Sequence, residues 1–271
     1  MGIINRNATL SLLAMLFLTA CSAEDKPAEQ STSTSTASKD PVAEVAIGAL
    51  PDFTKYTDVK AKKRDFFNFL LPRIRKANDA ELERRDFLLG LNYSDLSKKD
   101  KERLNVMAER YREKDYDSYT QLINNLLVKV DAVPASLVLA QGANESAWGT
   151  SRFARQGLNF FGIWCFTKGC GMTPKARNDG ASHEVQKFES AQAAVNKYVI
   201  TLNSHPAYEK LRAVRAKQRT ADEALLGAEL AVGLEKYSER GDEYIEEIQS
   251  MISFNKLEAF NRKAADSEPA K

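Results

Sequence analysis

From about residue 58 to residue 258, apolar positions recur at three- and four-residue intervals, the spacing of helices with one buried side. Phe66, Phe67, Phe69, Leu70 and Ile74 fall on one side of a first helix, among Lys62, Lys63, Arg64, Arg73 and Arg75. Pro72 is expected to kink or restart it, because proline lacks the N–H a helix interior needs. A second helix is predicted from Asp79 to Leu89, ended by Gly90. A third starts near Ser94 or Ser97 and carries Leu104, Met107, Ala108 and Tyr111. Asp117 or Ser118 caps a fourth, which buries Tyr119, Leu122, Ile123, Leu126 and Leu127. Helical spacing throughout favours core packing over a binding face for these aromatic stripes, with the lysines and arginines forming a solvated side.

Pro134 suits the first turn of the next helix, where its missing N–H is no loss, and that helix runs to Ala143 or beyond. Gly157 and Gly162 imply loops. Residues 171–188 are the one region that reads as sheet. Gly171, Pro174, Asn178-Asp179-Gly180 and the alternation from Ser182 to Phe188 suggest a small hairpin. Ser190 caps a helix holding Ala194, Val195, Tyr198, Val199 and Leu202. Pro206 opens another with Tyr208, Leu211 and Val214. Thr220 begins a further one with Leu225, Leu226 and Leu230, interrupted by Gly233 before Leu234 and Tyr237. Gly241 or Asp242 starts the last, with Tyr244, Ile245, Ile248, Met251, Ile252 and Leu257. The pattern is that of an α+β chain, mainly α-helical, without internal repeats.

The ends depart from this pattern. Arg6 precedes a compact apolar run over residues 10–18, too short to cross a bilayer as a stable helix, and a polar segment follows. Leu18-Thr19-Ala20-Cys21 resembles a bacterial lipobox. That resemblance implies a signal peptide over residues 1–20, lipid on Cys21 as the membrane attachment, and, with Ser22 next, the outer membrane seen from the periplasm. Residues 21–50, with STSTST at 31–36, cannot build a core and form an expected tether. A helical region at 51–130, a main domain at 131–258 and a tail at 259–271 complete the expected organisation. A net charge of +2, with 28% charged residues, gives no argument for a nucleic-acid partner, and nothing marks a protein partner.

Export leaves Cys165 and Cys170 in the body of an oxidised protein, and Cys165-Phe-Thr-Lys-Gly-Cys170 closes a small loop. A disulfide is favoured over a zinc site, since His183 and His205 have no metal-type spacing. No metal and no cofactor are expected.

Glu145 stands directly after the apolar run at 137–140, close to Trp148. A carboxyl beside an indole and an apolar helix has its pKa raised by desolvation and can hold a proton for a leaving oxygen. The bland alternative is a helix-terminal glutamate that accepts a local hydrogen bond. Neither Ser146 nor Cys165 has a histidine in a convincing relation, which argues against either as a nucleophile.

Glu145-Ser146-Ala147-Trp148-Gly149, followed by Ser151, Ala154, Asn159 and Phe161-Gly162-Ile163, resembles the glucosaminidase family of autolysins and flagellar peptidoglycan hydrolases. Residues 62–78 and the Trp164-Cys165…Lys168-Gly169-Cys170 loop are similar to its Bax-like members. Val185-Gln-Lys-Phe188-Glu-Ser190 is similar to the FRxYxS segment, and Gly233-Leu234 with Tyr237-Ser238 and Tyr244 to the late GLxxYATD…YAxKI motif.

The resemblance implies a lysozyme-like fold with a small β lobe and cleavage of peptidoglycan glycan strands after N-acetylglucosamine. By the same resemblance Glu145 is the general acid and Tyr237 the tyrosine lining the cleft near it. Asn159 and Phe161 shape the cleft or support the acid, and Trp164 stacks on a sugar or packs. Trp148 and Phe188 complete the expected substrate-binding set. Asp179, Glu184 and Glu189 are candidates for a second carboxylate, with Glu184 favoured for its place in the hairpin. Phe188 stands for the motif's tyrosine, and Ser238-Glu239-Arg240 surrounds the place of a missing aspartate. These departures leave room for substrate-assisted chemistry or a water held without a dedicated base. A lytic transglycosylase and a non-catalytic peptidoglycan-binding lipoprotein are the alternatives.

Overall fold

The computed structural model describes residues 49–174, 182–221 and 224–262. The signal-peptide, lipidation and tether expectations, Cys21 included, lie outside them, as do Asp179 and most of the tail. Helix α1 spans Val59–Leu89, where two helices were expected. Pro72 sits inside it without ending it. The reason is tertiary: Phe66, Phe67, Leu70 and Ile74 belong to the main core, while Leu88 belongs to a second one, so burial on both sides of the proline outweighs one missing hydrogen bond.

The second core is built by α2 (Lys98–Arg110) and α3 (Tyr119–Lys129) against the far end of α1. Ser97 caps α2 in a reciprocal pair with Asp100, and Ser118 caps α3. The main core surrounds α4 (Ala135–Glu145), whose residues from Ala135 to Ala143 are all buried. Against it pack α1, α6 (Ala191–Ser204), α8 (Gly227–Leu230) and α9 (Asp242–Phe254), with α5 (Arg152–Gly157) and α7 (Glu209–Thr220) outside them. Ser190 caps α6 as expected, and Asp242 opens α9 behind Gly241.

Thr220 ends α7 rather than beginning a helix. The expected long helix after it is reduced to α8 and a 3-10 turn at Ala231–Gly233. Close packing dictates this, since a Cβ at Gly233 would lie 2.3 Å from the backbone nitrogen of Leu211. Leu257 likewise falls beyond α9, in a 3-10 turn at Leu257–Phe260.

The sheet has three short antiparallel strands, β1 (Trp164–Cys165), β2 (Gly171–Met172) and β3 (Glu184–Gln186), in the order β1-β3-β2. Trp164 pairs with Val185, and Met172 with Val185 on the other side. The expected hairpin is β2–β3; β1 joins it because the Cys165–Cys170 disulfide folds the intervening loop back, with the two Cα atoms 6.2 Å apart. The whole is a mainly helical α+β fold of the lysozyme-like kind. Among the described residues no helix is long and apolar enough to cross a membrane.

Candidate active site

Helix α4 delivers Glu145 from the core to a cleft of about 1270 Å³. One wall is the loop from Phe161 to Phe166 with β3; the other comes from α6 and the turn at Tyr237 to Glu239. Glu145 is half-buried. Its pKa is raised, first by burial, while a hydrogen bond from Tyr244 and the nearby Arg240 pull the other way. Arg240 is weak in this role because it is exposed and ion-paired with Glu247.

Behind the acid runs a line of neutral hydrogen bonds. Tyr244 Oη donates to Glu145 Oε1 at 2.7 Å, Gln141 Nε2 donates to Tyr244 Oη at 2.8 Å, and Tyr198 Oη donates to Gln141 Oε1. Gln141 and Glu145 are one helical turn apart on α4, so the relay and the acid share one rigid element. Burial holds the Tyr198 and Tyr244 phenols above their ordinary pKa, so each stays a neutral donor. The sequence placed Tyr244 in the last helix and in the late motif without giving it a role toward Glu145, and Gln141 was passed over. The signals were a phenol on an otherwise aliphatic helix face and an amide within an apolar helix, both of which need a buried partner.

Tyr237 lines the cleft; its hydroxyl donates to the Phe161 carbonyl at 2.7 Å and its ring stacks on Tyr244 at 5.6 Å. Phe161 lines the cleft and stacks on Tyr198 at 4.2 Å. Asn159 is buried and staples the loop: Oδ1 accepts from Phe161 and Ile163 N–H, and Nδ2 donates to the Ile163 and Gln186 carbonyls. That holds Gly162 at φ +63 beside the acid, where an added Cβ would stand 3.5 Å from Glu145 Oε2. Trp164 reaches the cleft 54% exposed, its ring stacked on His183 at 4.0 Å, and presents a free apolar surface of the kind a sugar ring covers.

Three expectations are corrected. Trp148 is not in the cleft: Ala147, Trp148 and Gly149 all take positive φ after α4, and the resulting turn lays the indole on Phe66 and Phe67 of α1. Phe188 packs on the main core instead of lining the cleft. Glu184 also lies off the lining, and its carboxylate accepts from the N–H groups of Gly169 at 3.1 Å and Gly171 at 2.7 Å, which fastens the disulfide loop to β3. Its proximity to Cys165 and Cys170 forms no metal site while those sulfurs are bonded to each other. Glu189 does not line the cleft either. Besides Glu145, the acidic residue on the described lining is Glu239, which is exposed.

The glucosaminidase family model, described as mannosyl-glycoprotein endo-beta-N-acetylglucosaminidase, matches residues 126–257. The chain is 34% identical over 210 residues to Protein bax of Escherichia coli (strain K12), covering 76% of this chain and 74% of that protein. It belongs to the glucosaminidase family. Within that family it is Bax-like, and no solved structure matches it significantly. The glucosaminidase match holds the whole acid relay, from Gln141 to Tyr244, but it begins at residue 126, after α1 and α2. The Phe66–Ile74 face of α1 nevertheless fills the same core as α4.

Proposed function

We propose that the protein is a peptidoglycan hydrolase that cuts the glycan strand after N-acetylglucosamine, with Glu145 as general acid. The observation that carries this is a half-buried carboxyl of raised pKa, facing an open cleft and backed by neutral donors. An alkoxide is a poor leaving group, and a carboxyl whose surroundings favour its protonated form supplies the proton its departure requires. Trp164 stacks on a sugar, while Asn159, Phe161 and Tyr237 keep the loop and the acid in register. Carboxyl chemistry of this kind uses no metal or cofactor. Lipid on Cys21 holds the enzyme on the periplasmic side of the outer membrane, a reading that rests on the lipobox-like sequence.

A second reading rests on the absence of Glu184 from the cleft. With one buried carboxyl on the described lining, attack by the substrate's own groups replaces a dedicated base, as in a lytic transglycosylase or in acetamido-assisted hydrolysis.

Digestion of purified sacculi by the protein lacking residues 1–21, followed by mass analysis of borohydride-reduced fragments, tests both. N-acetylglucosaminitol ends, lost in Glu145→Gln, support the hydrolase; anhydro-muramyl ends move the protein to the transglycosylases. Binding without fragments from either form leaves a scaffold.

A further inference from the structure

A neutral N-acetylhexosamine chain offers hydrogen-bond acceptors but no negative charge, yet Arg112, Lys197 and Lys236 all line the cleft. All three are exposed, and among the described residues none has an acidic partner. The acids next to them in sequence are engaged elsewhere. Glu113 pairs with Lys129 at 2.5 Å, and Glu235 pairs with Lys210. Of the two carboxyls on the lining, Glu145 is held toward its neutral form and Glu239 is a single exposed charge. The cleft therefore has an excess of positive charge in a chain whose overall charge is nearly balanced.

Arg112 is placed with some care. It follows the end of α2 with φ +56, and Lys129 of α3 holds the carbonyls of Tyr111 and Arg112 from behind. Lys197, Thr201 and His205 follow one another at four-residue steps along and just beyond α6, all on the cleft, and Arg112 is close enough to depress the His205 pKa after burial has done so. The α2–α3 hairpin, which has its own core and precedes most of the matched family segment, thus contributes a cation to a cleft built mainly by the rest of the chain.

We propose that Arg112, Lys197 and Lys236 form a subsite for the carboxylates of the peptide stems on the glycan strand, and that the α2–α3 hairpin completes it. This rests on the peptidoglycan reading above. Each stem carries more than one free carboxylate, against the single lactyl carboxylate of a bare muramyl residue, so cations on the cleft favour stemmed over bare segments and align the strand past Glu145. Exposed pairs are individually weak, and three together give a selectivity of about tenfold at low salt that salt removes.

The test uses Glu145→Gln protein lacking residues 1–21, so that binding is read without turnover. Three ligands are titrated: peptide-bearing glycan fragments, the same fragments after amidase treatment, which leaves one lactyl carboxylate per muramyl residue, and neutral N-acetylglucosamine oligomers. The expected result is about tenfold tighter binding of the peptide-bearing fragments than of the other two, abolished by R112Q/K197Q/K236Q with the neutral oligomers unaffected. Single K197Q, at an exposed position, shows a partial loss in the same direction. Selectivity that survives the triple variant overturns the subsite. Amidase-treated fragments binding as tightly as stemmed ones, and weakened equally by the triple variant, overturn the assignment to stems. Digestion of sacculi by protein with Glu145 intact reports separately on the hydrolase: stem selectivity without cleavage keeps the subsite and removes the hydrolase reading, and cleavage without selectivity does the reverse.

Discussion

Asp131 and Glu145 bracket α4, both largely withdrawn from water, yet their carboxyls are driven in opposite directions. Asp131 is 2% exposed, and burial alone would push its pKa up. Arg215, Arg219 and Arg85 converge on it and hold it below the usual carboxylate range. Among the described residues Glu145 has no cation in contact; its donor is a neutral tyrosine, so burial prevails. Burial by itself does not decide the protonation state of a carboxyl. The charge of the groups that satisfy it does.

The two carboxyls also do different work. Asp131 ties the two cores together: fully buried Arg215 bonds the carbonyls of Val128, Lys129 and Ala132 as well, its own pKa drawn down to about 10 by burial. Glu145 makes one such link, to Tyr244 of α9, and its burial favours the protonated form beside an open cleft.

The comparison breaks most visibly if Glu145 is dispensable. Glu145→Gln is expected to lower sacculus cleavage by about 10²–10⁴-fold, the usual contribution of a positioned general acid, with unchanged circular dichroism. Asp131→Asn should do the opposite. It strands buried arginines and costs about 3–5 kcal/mol of stability in denaturant unfolding, while cleavage per folded molecule is retained. If Asp131→Asn abolished cleavage at full stability, the seam would belong to the site and the contrast would fail.

The pH dependence of stability sharpens the contrast. Asp131 has a depressed folded-state pKa, so its contribution is present above the unfolded value and is lost as pH falls through the folded value. Glu145 has a raised one, so its contribution is present below its unfolded value and is lost as pH rises through the folded value. Thermal melts should therefore show Glu145→Gln more stable than the parent at and above neutral pH, with the gap closing toward pH 4. A gap that persists in acid would mean that the glutamine simply packs better.

This contrast explains what the sequence could show. The helices were legible because apolar spacing and caps are local: Ser97, Ser118 and Ser190, each among the caps the sequence offered, begin their helices, and Glu145 was singled out as a carboxyl placed against an apolar run. Pro72 misled because two cores on one helix outweigh a local breaker, and neither core is a local property. Trp148, Phe188 and Glu184 were misplaced for a related reason. Whether a side chain faces the cleft depends on a left-handed turn, on the wrapping of the main core, and on a disulfide loop whose N–H groups claim a carboxylate. Asp131 drew no attention at all, since its three arginines lie 46 residues before it and 84 and 88 after it, and nothing local brings them together.

The smallest expected effect is the most specific. Tyr244 donates to the ionised form of Glu145 and so works against its protonation. Tyr244→Phe removes a hydrogen bond worth about 1 kcal/mol to the carboxylate and should raise the pKa of Glu145 further. With Glu145 as the proposed general acid, activity falls as pH rises through that pKa, and the alkaline limb of the kcat/KM profile should move up in the variant. Tyr237→Phe is the control, since its hydroxyl bonds the Phe161 carbonyl and not Glu145; it can change kcat/KM but should leave the limb where it was. A limb that moves equally in both variants would assign the proton to the general polarity of the cleft. A downward shift in Tyr244→Phe would show that the tyrosine favours the neutral acid, and with it the account of Glu145 as a carboxyl governed by burial against a single neutral donor would fall.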